Sequence, residues 1–378
     1  MPMERPDGAV MDGLHVSRLA LSHFRSHRSL QISLDSRPVA IHGRNGAGKT
    51  NILEALSLLS PGRGFRRAKV RDMANNDAGA GWKVHAAIRS GGQMHETEFS
   101  SDDGQARQLK INGKTAPQGD LAEIARVLWL IPAMDRLWME GAEGRRRYLD
   151  RMALGLVPAH ASVSIAYEKA MRDRNRLLRE RVSDGRWYGA LERVMAKAGV
   201  AIHSNRLTTL KTLNLVQSVA DTAFPSAKLE LAMPAGSMPV LEEDFLAMLE
   251  SGRGRDLAAG RSLLGPHRAD LRAFYTAKGM PAAHCSTGEQ KALLISLILA
   301  NARAIAENFG SPPILLLDEV SAHLDSHRRT ALQSEIDRLG AQAWMTGTSM
   351  ELFDFMGDSA QHIAVTERDG ISAIEVRP

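Results

Sequence analysis

The chain has 378 residues, 44% hydrophobic and 24% charged, which is apolar material for a sizeable core and length for two domains. Its single cysteine, Cys285, excludes an internal disulfide and a cysteine-rich zinc site, and no apolar run approaches the roughly 20 residues that a membrane helix needs. A formal net charge of +5 favours a polyanionic partner without identifying one, and the 13 histidines show no pair at metal-ligand spacing on an evident helix face.

Residues 1–13 are rich in Pro, Gly and charge and are expected to form a disordered leader. Pro6-Asp7-Gly8 and Asp12-Gly13 interrupt any signal-peptide core, so a cytoplasmic protein is expected. Leu14 to Leu21 and Leu30 to Leu34 alternate as strands, giving an antiparallel ribbon with Phe24 beneath it and Arg25 free to face a ligand.

Arg37 to His42 then reads as a short buried strand, and Thr50 to Leu59 as a helix. Between them Gly43-Arg44-Asn45-Gly46-Ala47-Gly48-Lys49-Thr50 fits the phosphate-loop pattern without a mismatch. Glycines let the backbone curl until successive N–H groups converge on phosphate oxygens, and the helix N-terminus adds positive partial charge. Lys49 would bridge the outer phosphates of ATP, and Thr50 would offer its hydroxyl to Mg2+.

Pro61 to Arg71 is a basic loop that suits either a solvated connection or phosphate contacts. Trp82–Ile88, His95–Phe99 and Gln108–Lys114 read as strands of a small antiparallel sheet, joined by turns at Gly91-Gly92 and Asp103-Gly104. Val127 to Pro132 is a further buried strand. From Glu140 to about Val219 the pattern turns helical, interrupted at Asp184-Gly185, and Arg172, Arg174, Arg176, Arg179 and Arg181 make either a solvated face or a DNA-facing one. A loose segment around Pro225, Pro234, Gly236 and Pro239 leads to a helix over Glu242–Leu249 and a strand over Leu271–Tyr275.

Pro312 to Glu319 reads as a buried parallel strand ending in two carboxylates. Asp318 can hold Mg2+, and Glu319 can polarise an attacking water as general base. Ser286-Thr287-Gly288-Glu289-Gln290-Lys291 carries a capping box, followed by an amphipathic helix over Ala292–Ala300. Its place upstream of the Asp-Glu strand resembles the signature motif of ABC-type ATPases. Ser321 to Asp325 resembles the D-loop of that family, and Ala343 to Thr348 the strand ending at its switch position.

Taken together, these motifs resemble those of the RecF proteins, recombination mediators among the SMC-like ABC ATPases, over nearly the full length after the leader. The resemblance rests on Phe24-Arg25, Gly43 to Ala55, Gly64-Phe65-Arg66, Arg146 to Asp150, Gly265-Pro266-His267-Arg268, Ser286 to Lys291, and Leu315 to Asp325 with Arg328 and Leu332. Three departures stand out: Thr346 or Thr348 where transporters have a switch histidine, no Gln after the 129–132 strand, and Pro132-Ala133-Met134-Asp135 in place of the usual Pro-Glu-Asp-Leu.

The resemblance implies an α/β fold, an ABC-type P-loop ATPase head with an antiparallel β subdomain and an inserted helical arm. The head would comprise 14–148 and 262–378, and the arm 149–261. It implies that Arg25, Arg66, Ser286, Gly288, Gln290, Asp325 and Thr346 join the phosphate loop at the nucleotide, with Lys49 and Glu319 catalytic and Thr50 and Asp318 at the metal. It further implies an ATP-dependent homodimer that binds DNA at single-strand/double-strand junctions and gaps, hydrolyses ATP slowly with DNA stimulation, and acts with RecR and RecO to load RecA. An ABC ATPase subunit of another SMC-like or transporter system, or a nucleotide-gated binding module with negligible turnover, are the other classes that the motifs permit.

Overall fold

A computed structural model describes residues 13–75, 81–102, 105–234, 238–320 and 324–377. The expected leader over 1–12, the Asp103-Gly104 turn, Gly236 and the Ser321-Ala322-His323 portion of the D-loop lie outside the described residues. The chain divides into two compact units, one of residues 1–132 with 305–378 and the other of 133–304. The helical unit therefore takes in 133–148 and 262–304, beyond the arm limits of 149 and 261 that the sequence suggests. Arg145 on its first helix binds Asp270 bidentately at 2.7 and 2.9 Å, tying both flanks of the insertion into the same unit.

The first unit opens with β1 (His15–Phe24), β2 (His27–Ser33) and the short strand β3 (Val39–His42), which runs into α1 (Lys49–Ser57). Next come β4 (Trp82–Ser90), β5 (Gln93–Ser101), β6 (Gln108–Ile111), β7 (Lys114–Thr115), the short helix α2 (Leu121–Ile124) and β8 (Val127–Leu130). An antiparallel sheet of order β2-β1-β4-β5-β6-β7 results. The single strand expected over Gln108–Lys114 is broken in two because Asn112 (φ 50) and Gly113 (φ 78) both take left-handed conformations, the geometry of a tight hairpin turn.

The second unit contains α3 (Ala142–Leu156), α4 (His160–Arg179) and the 35-residue α5 (Gly185–Val219), started by Asp184, whose carboxylate accepts from the amide of Arg186. Strand β9 (Ala227–Ala232), where the sequence suggests only a loose segment, pairs antiparallel with β10 (Asp270–Tyr275), and β11 (Met280–Pro281) completes a three-stranded sheet. Helices α6 (Glu242–Ser251) and α7 (Arg253–Ala259) lie between them in sequence.

Arg174 is the correction in this unit. It is fully buried, bonded to Glu192 at 3.1 Å, Asp256 at 2.6 Å and Ser262 at 2.8 Å, so it belongs to neither a solvated face nor a DNA-facing one. Unpaired guanidinium is too costly to bury, and here two carboxylates and a hydroxyl take its hydrogens. Helix α8 (Thr287–Phe309) runs past the end of the unit at Ala304 and is long and apolar enough to cross a membrane, contrary to the sequence expectation. With 72% of its apolar window buried inside the protein, it behaves as a core helix.

The chain then returns to the first unit through β12 (Ile314–Leu317), α9 (Ser326–Leu339) and β13 (Ala343–Gly347). A last hairpin, β14 (Gln361–Arg368) and β15 (Ile371–Arg377), turns at Asp369-Gly370, where φ is 53 and 78. The sheet order is β15-β14-β3-β13-β12-β8, with parallel pairing from β14 to β8 and only β15 antiparallel. Every residue of β3, β8, β12 and β13 is buried, as in parallel strands covered on both faces. Their carboxyl ends lie side by side, the edge at which such sheets present ligands.

Candidate nucleotide site

Three carboxyl ends build the site. Strand β3 delivers the phosphate loop, β12 delivers Asp318 and Glu319, and β13 delivers Thr346. The register that pairs Leu317 with Met345 brings Thr346 beside Asp318, and the Thr346 hydroxyl donates to Asp318 Oδ1 at 2.7 Å. Thr50, at the start of α1, donates to both oxygens of the same carboxylate at 3.0 and 3.2 Å. Phosphate loop and acidic strand are thus joined at the point where sequence reasoning puts a metal.

The loop itself is a curl that only glycine permits at two places. Gly43 (φ 153) would put a Cβ 2.1 Å from the Val365 carbonyl oxygen, and Gly48 (φ 102) would put one 2.2 Å from Ser372 Oγ. Lys49 is 4% exposed, and its ammonium donates to the carbonyls of Gly43 at 2.7 Å and Arg44 at 2.9 Å. Burial pushes its pKa below the ordinary value, while the Glu319 and Asp318 carboxylates act in the opposite sense. Asn45, Gly46 and Ala47 complete the turn, with the Ala47 amide donating to the Arg44 carbonyl at 3.1 Å.

Glu319 holds a left-handed backbone (φ 53), rare for a residue with a Cβ, and its amide donates to Thr346 Oγ1 at 2.9 Å. Thr346 is therefore a correction to the expectation of a nucleotide contact. Its side chain is fully buried, and its one hydroxyl donates to the Asp318 carboxylate while accepting from the Glu319 backbone amide.

Arg25 is corrected as well. Far from being free to face a ligand, it forms a bidentate pair with Glu54 of α1 at 2.9 and 2.6 Å, and Arg66 shares that carboxylate at 2.7 Å. Glu54 is buried, and two guanidinium groups are what make a buried carboxylate there tolerable. Phe24 is fully buried against Trp82, as the ribbon reading has it.

In the helical unit, Ser286 and Glu289 form the expected capping box. The Ser286 amide and hydroxyl each donate to Glu289 Oε2 at 2.9 Å, and Lys278 pairs with the same carboxylate. Ser286 is exposed, and a Cβ added at Gly288 would meet nothing within 4 Å. Gln290, expected at the nucleotide, is instead 3% exposed, with its amide donating to the carbonyls of Cys285 at 2.9 Å and Ala283 at 3.4 Å. It shapes its own loop. Asp325 serves as N-cap of α9, accepting from the Arg328 amide at 2.8 Å, while the rest of its side chain stays exposed.

A divalent cation fits the oxygen donors present. Thr50 Oγ1 and the Asp318 carboxylate are hard ligands already in mutual contact, and among the described residues no group of three or more His, Cys, Asp or Glu offers a protein-only cage. That combination suits Mg2+, which retains water and phosphate ligands, better than a cation that seeks a full set of side chains.

Residues that sequence reasoning missed are Ser26, His27, Asn51 and Ser372. Ser372 Oγ lies 2.7 Å from the Ala47 carbonyl oxygen and 2.6 Å from Ser26 Oγ. Asn51 Nδ2 donates to Ser26 Oγ at 2.7 Å, and Arg66 donates to Asn51 Oδ1 at 2.8 Å. His27 is fully buried with Nε2 3.0 Å from the Gly48 carbonyl; burial lowers its pKa against the raising effect of that bond. The one signal available was the Asp369-Gly370 pattern, which marks a hairpin turn just before Ser372 but not what that hairpin packs against.

Phosphate loop, acidic strand end and capped signature-like helix, on this sheet order, define a P-loop ATPase head of the ABC type. The family model described as RecF/RecN/SMC N terminal domain matches residues 15–373. The DNA replication and repair protein RecF of Rhizobium meliloti (strain 1021) is 46% identical over 363 residues, 93% of this chain and 96% of that protein. RecF of Brucella suis biovar 1 (strain 1330) is 46% identical over 366 residues, 94% of this chain and 95% of its own. The chain belongs to this family, on its RecF branch. A solved structure described as the recombination mediator protein RecF with ATP in the RecFOR pathway has the same fold, with a TM-score of 0.82 and 23% identity over 98% of this chain and 100% of that one. An Smc head domain from Pyrococcus furiosus is more distant, with a TM-score of 0.56 and 17% identity over 96% of each chain.

Proposed function

We propose that this protein is an ATP-driven DNA clamp of replication and recombinational repair, acting in the cytoplasm at single-strand/double-strand junctions and gaps. The observation that carries the reading is the contact of Thr50 and Asp318. It joins the phosphate loop to the acidic strand end, with Glu319 next in sequence to orient an attacking water as general base.

In this reading the loop amides and Lys49 hold the ATP phosphates, and Thr50 and Asp318 hold Mg2+, which when bound neutralises charge on the β- and γ-oxygens. Lys49 exchanges its two loop carbonyls for phosphate oxygens. Ser286 and Gly288 of one copy close on the γ-phosphate held by the other, so that ATP joins two heads. Gly288, with open space where a Cβ would stand, supports that reading: nothing among the described residues demands glycine there, and a close approach from outside would. Closure shapes a basic cleft for DNA, slow DNA-stimulated hydrolysis reopens it, and the dwell time lets RecR and RecO bring RecA to the gap.

The test is sedimentation with and without ATP, using Glu319→Gln and a gapped duplex at fixed salt. A doubling of mass with ATP, and joint migration with DNA only then, is expected. Lys49→Ala should lose nucleotide binding, Ser286→Arg should bind ATP without dimerising, and Glu319→Gln should trap the dimer. A monomer under every condition, or a normal ATP-dependent dimer with Ser286→Arg, overturns the shared site.

A further inference from the structure

The rear of the phosphate loop is gripped as specifically as its front is shaped. Ala47 and Gly48 are successive residues whose carbonyls both point away from the cradle, each into a buried side chain from outside the loop. Ser372 of β15 takes the first at 2.7 Å, and His27 of β2 takes the second at 3.0 Å. In a trans peptide the C=O and the following N–H point in opposite directions, and no peptide bond among the described residues is cis. Anchoring the Ala47 carbonyl therefore aims the Gly48 N–H forward, and anchoring the Gly48 carbonyl aims the Lys49 N–H forward.

The hydrogens order themselves in one direction. Arg66 has only donors, so Asn51 Oδ1 accepts from it, and Asn51 Nδ2 donates onward to Ser26 Oγ. Each serine has one hydroxyl hydrogen. Both contacts are satisfied only when Ser26 donates to Ser372 and Ser372 donates to Ala47. The chain runs from an arginine at the domain surface to a loop carbonyl, and Ser372 is 3% exposed at its last link. The Ser372 amide donates to the Ser26 carbonyl at 2.8 Å, which fastens the same strand a second time.

We infer that Ser372, with Ser26 and His27, are positioning residues of the nucleotide site: they set the direction of the Gly48 and Lys49 amides and thereby the affinity for the ATP phosphates. The C-terminal hairpin β14–β15 is on this view part of the ATP site, since Val365 walls Gly43 and Ser372 holds Ala47. This inference rests on the proposed ATP-binding function.

The full-length protein is titrated with ATP and Mg2+ by calorimetry, and its unfolding midpoint without nucleotide is recorded in parallel. Ser372→Ala is expected to weaken ATP binding about three- to tenfold, the value of one backbone hydrogen bond. The unfolding midpoint without nucleotide should fall by no more than the loss of one buried hydrogen bond explains, so that the protein is fully folded at the titration temperature. Ser26→Ala should give a similar loss, and the double variant little more than either alone, because both cut the same chain. His27→Gln, which retains a donor, should lose less than His27→Ala. Wild-type affinity in a folded Ser372→Ala protein overturns the inference while leaving the proposed function standing. A loss confined to the unfolding midpoint, with normal affinity in the folded protein, overturns it equally. A wild type that fails to bind ATP overturns both.

Discussion

Thr346 donates to Asp318 at 2.7 Å and stands fully buried behind it, so the carboxylate at the end of β12 is aimed by a neighbour on β13. Thr346→Val removes that donor and also the acceptor of the Glu319 amide, keeping the shape. Turnover should fall about tenfold or more, since about 1.4 kcal/mol of barrier per decade is within reach of one misplaced hydrogen bond. ATP affinity should change little. Steady-state hydrolysis beside direct nucleotide titration separates the two effects.

Glu54 presents one buried carboxylate to two guanidinium groups, Arg25 and Arg66. Glu54→Ala leaves both cations facing each other and is expected to cost about 2–4 kcal/mol of stability, the scale for breaking a buried pair, lowered because Arg66 is partly exposed. Arg66→Ala, which keeps the Arg25 pair, should cost about 1 kcal/mol or less. Urea unfolding midpoints measure both.

Arg174 leaves two buried carboxylates behind when replaced. Arg174→Met should destabilise the helical unit by about 3–5 kcal/mol. Because the side chain never reaches solvent, DNA affinity of the folded protein should be unaffected, whereas exposed Arg172 and Arg179 remain candidates for phosphate contact. A calorimetric melt, together with DNA titration at fixed salt, distinguishes stability from binding.

His267 sits half-buried between the Tyr167 hydroxyl at 2.8 Å and the Ser262 carbonyl at 3.1 Å, and the desolvation of its ring lowers its pKa from 6.5 to about 4. The neutral ring accepts at Nδ1 and donates at Nε2. Between these values the unfolded chain binds the extra proton, so the stabilisation is complete above about pH 6.5 and is lost as pH falls toward 4. The unfolding midpoint should therefore drop between pH 7 and pH 5, and His267→Asn should flatten that dependence.

The front of the nucleotide site was legible in the sequence because its parts are local. Gly43 to Thr50 is one loop between a strand and a helix, and Asp318 with Glu319 ends one apolar run. Helix α5 after the Asp184-Gly185 interruption and α6 over Glu242–Ser251 were legible for the same reason, each being one local run of helix-forming residues. The back of the site was not. Ser26 and Ser372 are small polar residues whose meaning comes only from facing one another, a relationship that no local pattern encodes. Arg174 misleads for a related cause: within its own helix it looks like one of several surface cations, and its carboxylate partners arrive from α5 and α7. Thr346 and Gln290 were placed near the right chemistry but on the wrong side of it, since position in a motif does not say which way a side chain turns.

The hydroxyl that steadies Ala47 belongs to a residue 325 positions further along the polypeptide. At about 5–20 residues per second of synthesis, roughly 16–65 seconds separate the two on the ribosome. During that interval β3 lacks its β14 neighbour, and the loop is held from behind at Gly48 by His27 but not at Ala47. The nascent chain thus carries a recognisable phosphate loop long before it carries a finished one, and full affinity for nucleotide arrives only as the last hairpin docks.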